Sequence, residues 1–401
     1  MRSLLMALEF PPQIGGIQTI MYEICTHLPR GEIEVLAPQT PGDESFDAMC
    51  DLTVHRKNLH QGSPLTYLID TGLGKLVSPL MSQFRRYILA TTPLLAQNPF
   101  DLIQCSHFSI APAACVLSRR YGIPYVIYTY AQEIMSPHVP RSRPGTGLIG
   151  KWAMQHAHAV FTISEFTRTQ VLKWGVSPDK IVQIPLGPTQ TTQVSRTEVG
   201  LLQKQLALAG KRVILTVGRL VERKGQDMVL RAMPQILARV PNTVYLIAGT
   251  GPMEQLLRRI AADQGVSDHV IFLGDIPHER IGPYYAVTDV FLMPSRAILR
   301  RGDVEGFGLV YLEANAFAKP CIGGREGGVP DAVLNGETGL LVNPWSPDDI
   351  AQATIHLLED RALAERLGRT GQSRVQQEMN WSNTAQVVRR TLTHALQEEN
   401  V

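Results

Sequence analysis

The chain has 401 residues, 44% of them hydrophobic and 18% charged, with a net charge of +2. That length suffices for two globular domains, and the near-neutral balance excludes the basic excess with which nucleic-acid binders hold phosphate backbones. The cysteines Cys25, Cys50, Cys105, Cys115 and Cys321 form no C-x-x-C pair, which fits reduced thiols in a cytoplasmic protein and argues against a disulfide framework or structural zinc.

The opening MRSLLMALEF has a short apolar stretch and no small-residue cleavage site before Pro11-Pro12, so it reads as a first buried strand over 3–10 and not as a signal peptide. A Gly15-Gly16 turn leads to a helix from about Ile17 to Leu28 and a strand EIEVLAP. From Thr40 the chain reads as loop, and residues 75–97 form an amphipathic helical stretch with Arg85 and Arg86. That stretch either packs on its own domain or touches a membrane or acceptor. Further strands are DLIQCSH, PYVIYTY, AVFTIS and IVQIPLG, with 136–151 expected as an exposed Pro-rich loop. After Gly187-Pro188, the polar TQTTQVSRTEVG reads as a linker.

A second series follows: RVILTVGRL, a helix near Gln226 to Val240, TVYLIAGTG, VIFLGDI, DVFLMPS, a helix after Gly308, KPCIGG and TGLLVNP. Such alternation of strands and helices predicts parallel sheets covered by helices. The expected domains are 1–188 and 189–380, with a last helix over 381–401 crossing back to the first. No apolar run reaches the roughly 18 residues of a spanning helix, which excludes an integral membrane protein and leaves peripheral attachment open.

Each half begins with a strand and a glycine turn, FPPQIGGIQT and VGRLVERKGQD, and neither is G-x-G-x-x-G, so a nicotinamide site is not supported. Gly15 and Gly16 let backbone approach a ligand at a helix start, where free amides favour an anion. Arg219 and Lys224 leave a strand end in a loop that Gly218 and Gly225 keep bendable. Two such cations can neutralise a leaving diphosphate without a metal, although a solvated loop with chance charge accounts for them equally well.

In DVEGFGLVYLEANA, Gly306 and Gly308 free a turn, and the amides from Phe307 to Tyr311 open a helix. Glu305 in that turn can accept hydrogen bonds from a polyol, and Glu313 further along can reach a second diol. A sugar nucleotide offers both. A glycosidase acid–base pair is the alternative, but it leaves the Arg219/Lys224 loop without a role. His156 and His158 would splay on a helix, so no metal site is expected.

Glu305 and Glu313, separated by seven residues, together with GRLVERKGQD and MPSRAILRRGDVEGFGLVYLEA, resemble the family 4 glycosyltransferases, most of all the phosphatidylinositol mannosyltransferase group and its bacterial relatives. The resemblance covers the whole chain and is most specific from Val213 to Leu341. It implies an α/β GT-B fold, two facing Rossmann-like domains with a cleft between them. It also implies retaining transfer of a hexose, mannose from GDP-mannose, to a hydroxyl of a lipid-linked or polysaccharide acceptor, with no metal or other cofactor. A UDP-glucose or UDP-N-acetylglucosamine donor is the alternative, and a sugar-nucleotide epimerase or a non-catalytic sugar-nucleotide-binding protein are rivals of other classes.

The same resemblance places Arg219 and Lys224 on the diphosphate, with amide contacts from Gly16, Phe307, Gly308 and Leu309. It makes Glu305 a positioner of the donor sugar and Glu313 the ribose partner. Gly15, Gly218 and Gly306 shape the donor loops, Asp275 and Ile276 lie along the base, and His107 faces the sugar. Where relatives carry a further histidine, this chain has Tyr130, Gln132 and Glu133, so acceptor handling is expected to differ. Gly327-Gly328 is read as letting backbone pass close to the ligand. The partners implied are a nucleotide-sugar donor, a glycan or lipid-linked acceptor and the inner face of a membrane, with no nucleic acid.

Overall fold

Short runs rich in Val, Ile, Leu and Tyr form the strands of two parallel sheets, of seven and six strands. A computed structural model describes residues 1–13, 15–59, 79–135, 144–189 and 193–398. The chain divides into two compact units, Met1–Pro185 with Trp381–Val401, and Leu186–Asn380.

The first unit contains β1 (Ser3–Met6), β2 (Ile33–Pro38), β3 (Thr53–Lys57), β4 (Leu102–Cys105), β5 (Tyr125–Thr129), β6 (Ala159–Thr162) and β7 (Ile181–Gln183). They lie in the order β3-β2-β1-β4-β5-β6-β7. Strands β1, β2, β4, β5 and β6 are buried along their whole length, as a parallel sheet covered on both faces requires. The helix Trp381–Glu398 packs on the helix Gly16–His27 in this unit. There Arg389 pairs with Glu32 at 2.8 Å and the Thr384 hydroxyl donates to the Pro185 carbonyl at 2.6 Å.

The second unit contains β8 (Arg212–Val217), β9 (Thr243–Ala248), β10 (Val270–Gly274), β11 (Val290–Met293), β12 (Cys321–Gly324) and β13 (Gly339–Val342), in the order β10-β9-β8-β11-β12-β13. Both sheets reverse their strand order once, between β1 and β4 and between β8 and β11. Loops leaving the carboxyl ends of two such strands diverge to opposite faces, and the crevice they leave is where doubly wound sheets bind ligands.

Several expectations are corrected. The first strand stops at Met6, because the Leu8 N–H turns to the Ser106 hydroxyl at 2.9 Å and not to a neighbouring strand. The segment read as loop after Thr40 holds a short helix, Asp43–Met49, and the edge strand β3. In β3 four of the five residues are polar and none is buried, so no apolar run marks this edge. The linker is helical over Arg196–Gln205, started by a capping box in which Ser195 and Glu198 satisfy each other's backbone N–H. The loop expected over 136–151 ends at a helix, Pro144–His156, while 136–143 lie outside the described residues. The basic amphipathic helix runs Pro79–Gln97, and 75–78 also lie outside them. Among the described residues no helix is long and apolar enough to cross a membrane.

Candidate functional site

At the switch point of the second sheet, the loops after β8 and β11 bring charged side chains together. After Val217 the chain turns through Gly218 (φ +148°), and a 3-10 turn, Glu222–Lys224, ends at Gly225 with φ +76°. A Cβ at Gly225 would fall on the Pro294 carbonyl oxygen, so only glycine lets this loop close onto the end of β11. The Arg296 N–H donates to the Arg223 carbonyl at 2.8 Å across the same seam. Beneath it, Arg296 is 3% exposed and grips both oxygens of Asp227 at 2.9 and 3.0 Å. The stem of Lys224 passes over Gly218.

Glu305 is the anion of this cluster, with a side chain 12% exposed. One of its oxygens, Oε2, accepts from the Lys224 ammonium at 2.7 Å, from the Arg223 guanidinium, and from the Ser295 hydroxyl at 3.3 Å. Among the described residues no donor reaches Oε1. Burial alone would raise the pKa of this carboxyl, but the charges of Arg223 and Lys224 outweigh it and hold it down to about 2. Burial conversely lowers the pKa of Lys224, opposed by Glu305. Arg223 is fixed from its other side, its Nε donating to Asp303 at 2.8 Å.

The Glu305 carbonyl accepts from the Gly328 N–H at 2.8 Å, and a Cβ at Gly327 would fall on that same carbonyl. The Gly327-Gly328 pair thus lets backbone approach the Glu305 main chain, where the sequence had suggested a ligand. Gly308 (φ +96°) caps the helix Leu309–Ala316, whose first turn carries no acid. Gly306 precedes buried Phe307, and Leu309 opens the helix half-exposed. Glu313 lies inside that helix, buried, with Oε1 taking the Thr189 hydroxyl and Oε2 the Tyr285 hydroxyl, each at 2.7 Å. A carboxylate can accept about four hydrogen bonds, so capacity remains on both oxygens.

Arg219 sits on the same loop as Lys224 but is exposed and makes no ion pair among the described residues. The second cation on Glu305 is therefore Arg223, which the sequence reading passed over. No spacing marks it, because its partners Asp303 and Glu305 lie 80 and 82 residues along the chain. Asp275 (exposed) and Ile276 (half-buried) follow β10, whose Gly274 carbonyl accepts from the Gly249 N–H at 2.7 Å. A Cβ at Gly249 would fall on the Gly218 carbonyl, so the ends of β8, β9 and β10 are tied through main chain.

The remaining candidates belong to the first unit. His107 follows β4, and its Nδ1 accepts from the Ser109 N–H at 3.1 Å, which puts the proton on Nε2. Burial depresses its pKa to about 4, so the ring is neutral at physiological pH. Gly16 opens the helix Gly16–His27 with open space where a side chain would stand, whereas a Cβ at Gly15 would fall on the Gln18 amide. After β5, Glu133 is buried beside Tyr130, and desolvation raises its pKa to about 7. Among the described residues no group of three or more His, Cys, Asp and Glu side chains could hold a metal ion.

Residues 201–374 match the family model described as glycosyl transferases group 1, and residues 15–187 match a glycosyl transferase 4-like domain. The chain is 32% identical over 373 residues to the GDP-mannose-dependent alpha-(1-6)-phosphatidylinositol monomannoside mannosyltransferase of Mycolicibacterium smegmatis, covering 92% of each chain. It is 29% identical to the GDP-mannose-dependent monoacylated alpha-(1-6)-phosphatidylinositol monomannoside mannosyltransferase of Corynebacterium glutamicum, covering 99% of this chain and 98% of that one. Among solved structures, Anabaena HepE in complex with UDP superposes with a TM-score of 0.80 at 20% identity, covering 98% of this chain and 100% of that one. At that identity the likeness is one of fold, and the fold is GT-B.

Proposed function

The chain belongs to the glycosyl transferases group 1 family and is a glycosyltransferase, and on that premise we propose that it transfers mannose from GDP-mannose to a hydroxyl of a lipid-linked or polysaccharide acceptor, with retention and without a metal. The observation that carries this reading is the Lys224–Glu305 contact at the carboxyl ends of β8 and β11, in a chain matching two GDP-mannose-dependent enzymes over nearly its whole length. The second unit takes the donor and the first takes the acceptor.

In this reading Lys224 and Arg219 neutralise the diphosphate as it departs, and the free amides opening the helix Leu309–Ala316 add to that stabilisation. Glu305 Oε1 accepts hydroxyls of the donor sugar, and Glu313 accepts those of the ribose. A carboxyl held near pKa 2 is a weak base, which suits positioning better than proton abstraction or nucleophilic attack. The bond from the anomeric carbon to the diphosphate breaks as the acceptor oxygen bonds to that carbon on the same face. The hydroxyl proton passes to the departing phosphate oxygen, and GDP leaves.

A lipid-linked acceptor would bring the enzyme to a membrane surface. Three helices of the first unit contain no Asp or Glu: Ala111–Tyr121 and the two that pack on it, Pro79–Gln97 and Pro144–His156. They carry exposed Arg85, Arg119 and Arg120 among the exposed apolar Leu89, Val116 and Ile149. Such a face suits an anionic bilayer.

The test is calorimetric titration with GDP-mannose, UDP-glucose and UDP-N-acetylglucosamine in the presence of a chelator, repeated on Lys224→Ala. Selective binding of GDP-mannose that is lost in the variant is expected. Selective binding of a UDP-sugar would overturn the donor assignment.

A further inference from the structure

We propose that Arg223 is the standing counter-ion of Glu305, a positioning residue that keeps this carboxylate paired and oriented when Lys224 turns to the diphosphate. The inference rests on the reading of Lys224 given above and concerns a residue to which that reading assigns nothing.

Both cations sit on one oxygen, Oε2, but they are held differently. Lys224 has a flexible stem lying over Gly218, and among the described residues its ammonium is anchored by Glu305 alone. A compact ammonium on four methylenes reorients with little loss. Arg223 is fixed at three points: Nε on Asp303 at 2.8 Å, Nη1 on Glu305, and its carbonyl on the Arg296 N–H at 2.8 Å. Arg296 is itself locked to Asp227. A planar guanidinium clamped between two carboxylates cannot leave one without breaking its bond to the other.

The two cations therefore divide the work. If Lys224 were the sole partner, its move to a diphosphate would strand a largely buried carboxylate, a change that strongly disfavours the departure. With Arg223 in place, Oε2 stays satisfied by Arg223 and Ser295, and Oε1 stays turned to the sugar. The other groups around Glu305 do not substitute for it. Asp303 is an anion, Tyr311 on the neighbouring helix is raised well above its ordinary pKa by burial and stays neutral, and Gly328 serves only the carbonyl.

The experiment compares Arg223→Met, Arg223→Lys and Asp303→Asn with the full-length protein, measuring kcat and the donor KM across pH 4 to 8 and checking folding by circular dichroism. In Arg223→Met, Lys224 is shared between Glu305 and the diphosphate. The donor KM is expected to rise about tenfold, and the acid limb of kcat/KM to move up by about two pH units, from near 2 to about 4, the acid end of the range. Arg223→Lys, which restores the charge without the fork, should return most of the acid limb and less of the KM. Asp303→Asn, which loosens the clamp and leaves both cations, should shift the limb part of the way, and it stands in for the test if Arg223→Met does not fold. A folded Arg223→Met with KM and pH profile within twofold of the parent overturns the proposal. Donor binding that survives Lys224→Ala would instead remove the reading beneath it, an outcome distinguishable because it is scored on a different variant.

Discussion

Glu305→Gln keeps the shape of the side chain and removes its charge. An ordinary glutamate titrates at 4.5, and in the fold this one is held at about 2, because Arg223 and Lys224 outweigh the effect of burial. The folded state thus favours the ionised form. Its contribution to stability is complete above the unfolded value and fades as pH falls from about 4.5 towards 2. At about 1.4 kcal/mol per pH unit, the window corresponds to about 3 kcal/mol at pH 7 and about 1 kcal/mol at pH 3. Urea unfolding of parent and variant at both pH values measures the difference. The deficit of Glu305→Gln should shrink by about 2 kcal/mol on going from pH 7 to pH 3. An equal deficit at both would mean that packing, and not charge, makes the residue important, and would refute the electrostatic account.

Tyr285→Phe removes a hydroxyl that donates to buried Glu313 at 2.7 Å, and should lower stability by about 2 kcal/mol in the same unfolding assay, since hydrogen bonds to charged groups sit at the upper end of the range. A loss below about 0.5 kcal/mol would mean that Thr189 or water replaces it. His107, depressed to about 4, should titrate by NMR well below the ordinary histidine range and show the Nε2–H tautomer at pH 7. Its share of stability should fade as pH falls from about 6.5 to 4, and an inflection near 6.5 would contradict its burial. In vesicle flotation the protein should bind anionic and not zwitterionic bilayers, and release in high salt. Arg119→Glu with Arg120→Glu should weaken that binding without changing donor affinity, and unchanged flotation would remove this face from the reading.

The sheets were legible because parallel strands buried on both faces are written as uninterrupted apolar runs, as in RVILTV and TVYLIA. Edge strand β3 was not, since a half-solvated edge needs no such run. The helix Arg196–Gln205 announced itself only by S-x-x-E at Ser195 and Glu198, which a polar composition obscured. Within the site, Lys224, Glu305 and Glu313 could be found by spacing. Arg223 could not, because its partners lie 80 and 82 residues away, and only the curl of a 3-10 turn lets neighbours 223 and 224 converge on one oxygen. Loop charge is visible in a sequence, but what it touches is not.

The glycine seams bear on how this enzyme could be re-engineered. Gly249 against Gly218, Gly225 against Pro294 and Gly327 against Glu305 are all main chain pressed on main chain, so the loops around the site are braced in part by contacts that no side chain supplies. Arg219 and Asp275 stand exposed on that frame. A library randomising Asp275, with Arg219 and the four glycines held constant, would explore new base preferences on a scaffold whose geometry does not depend on the residue being varied.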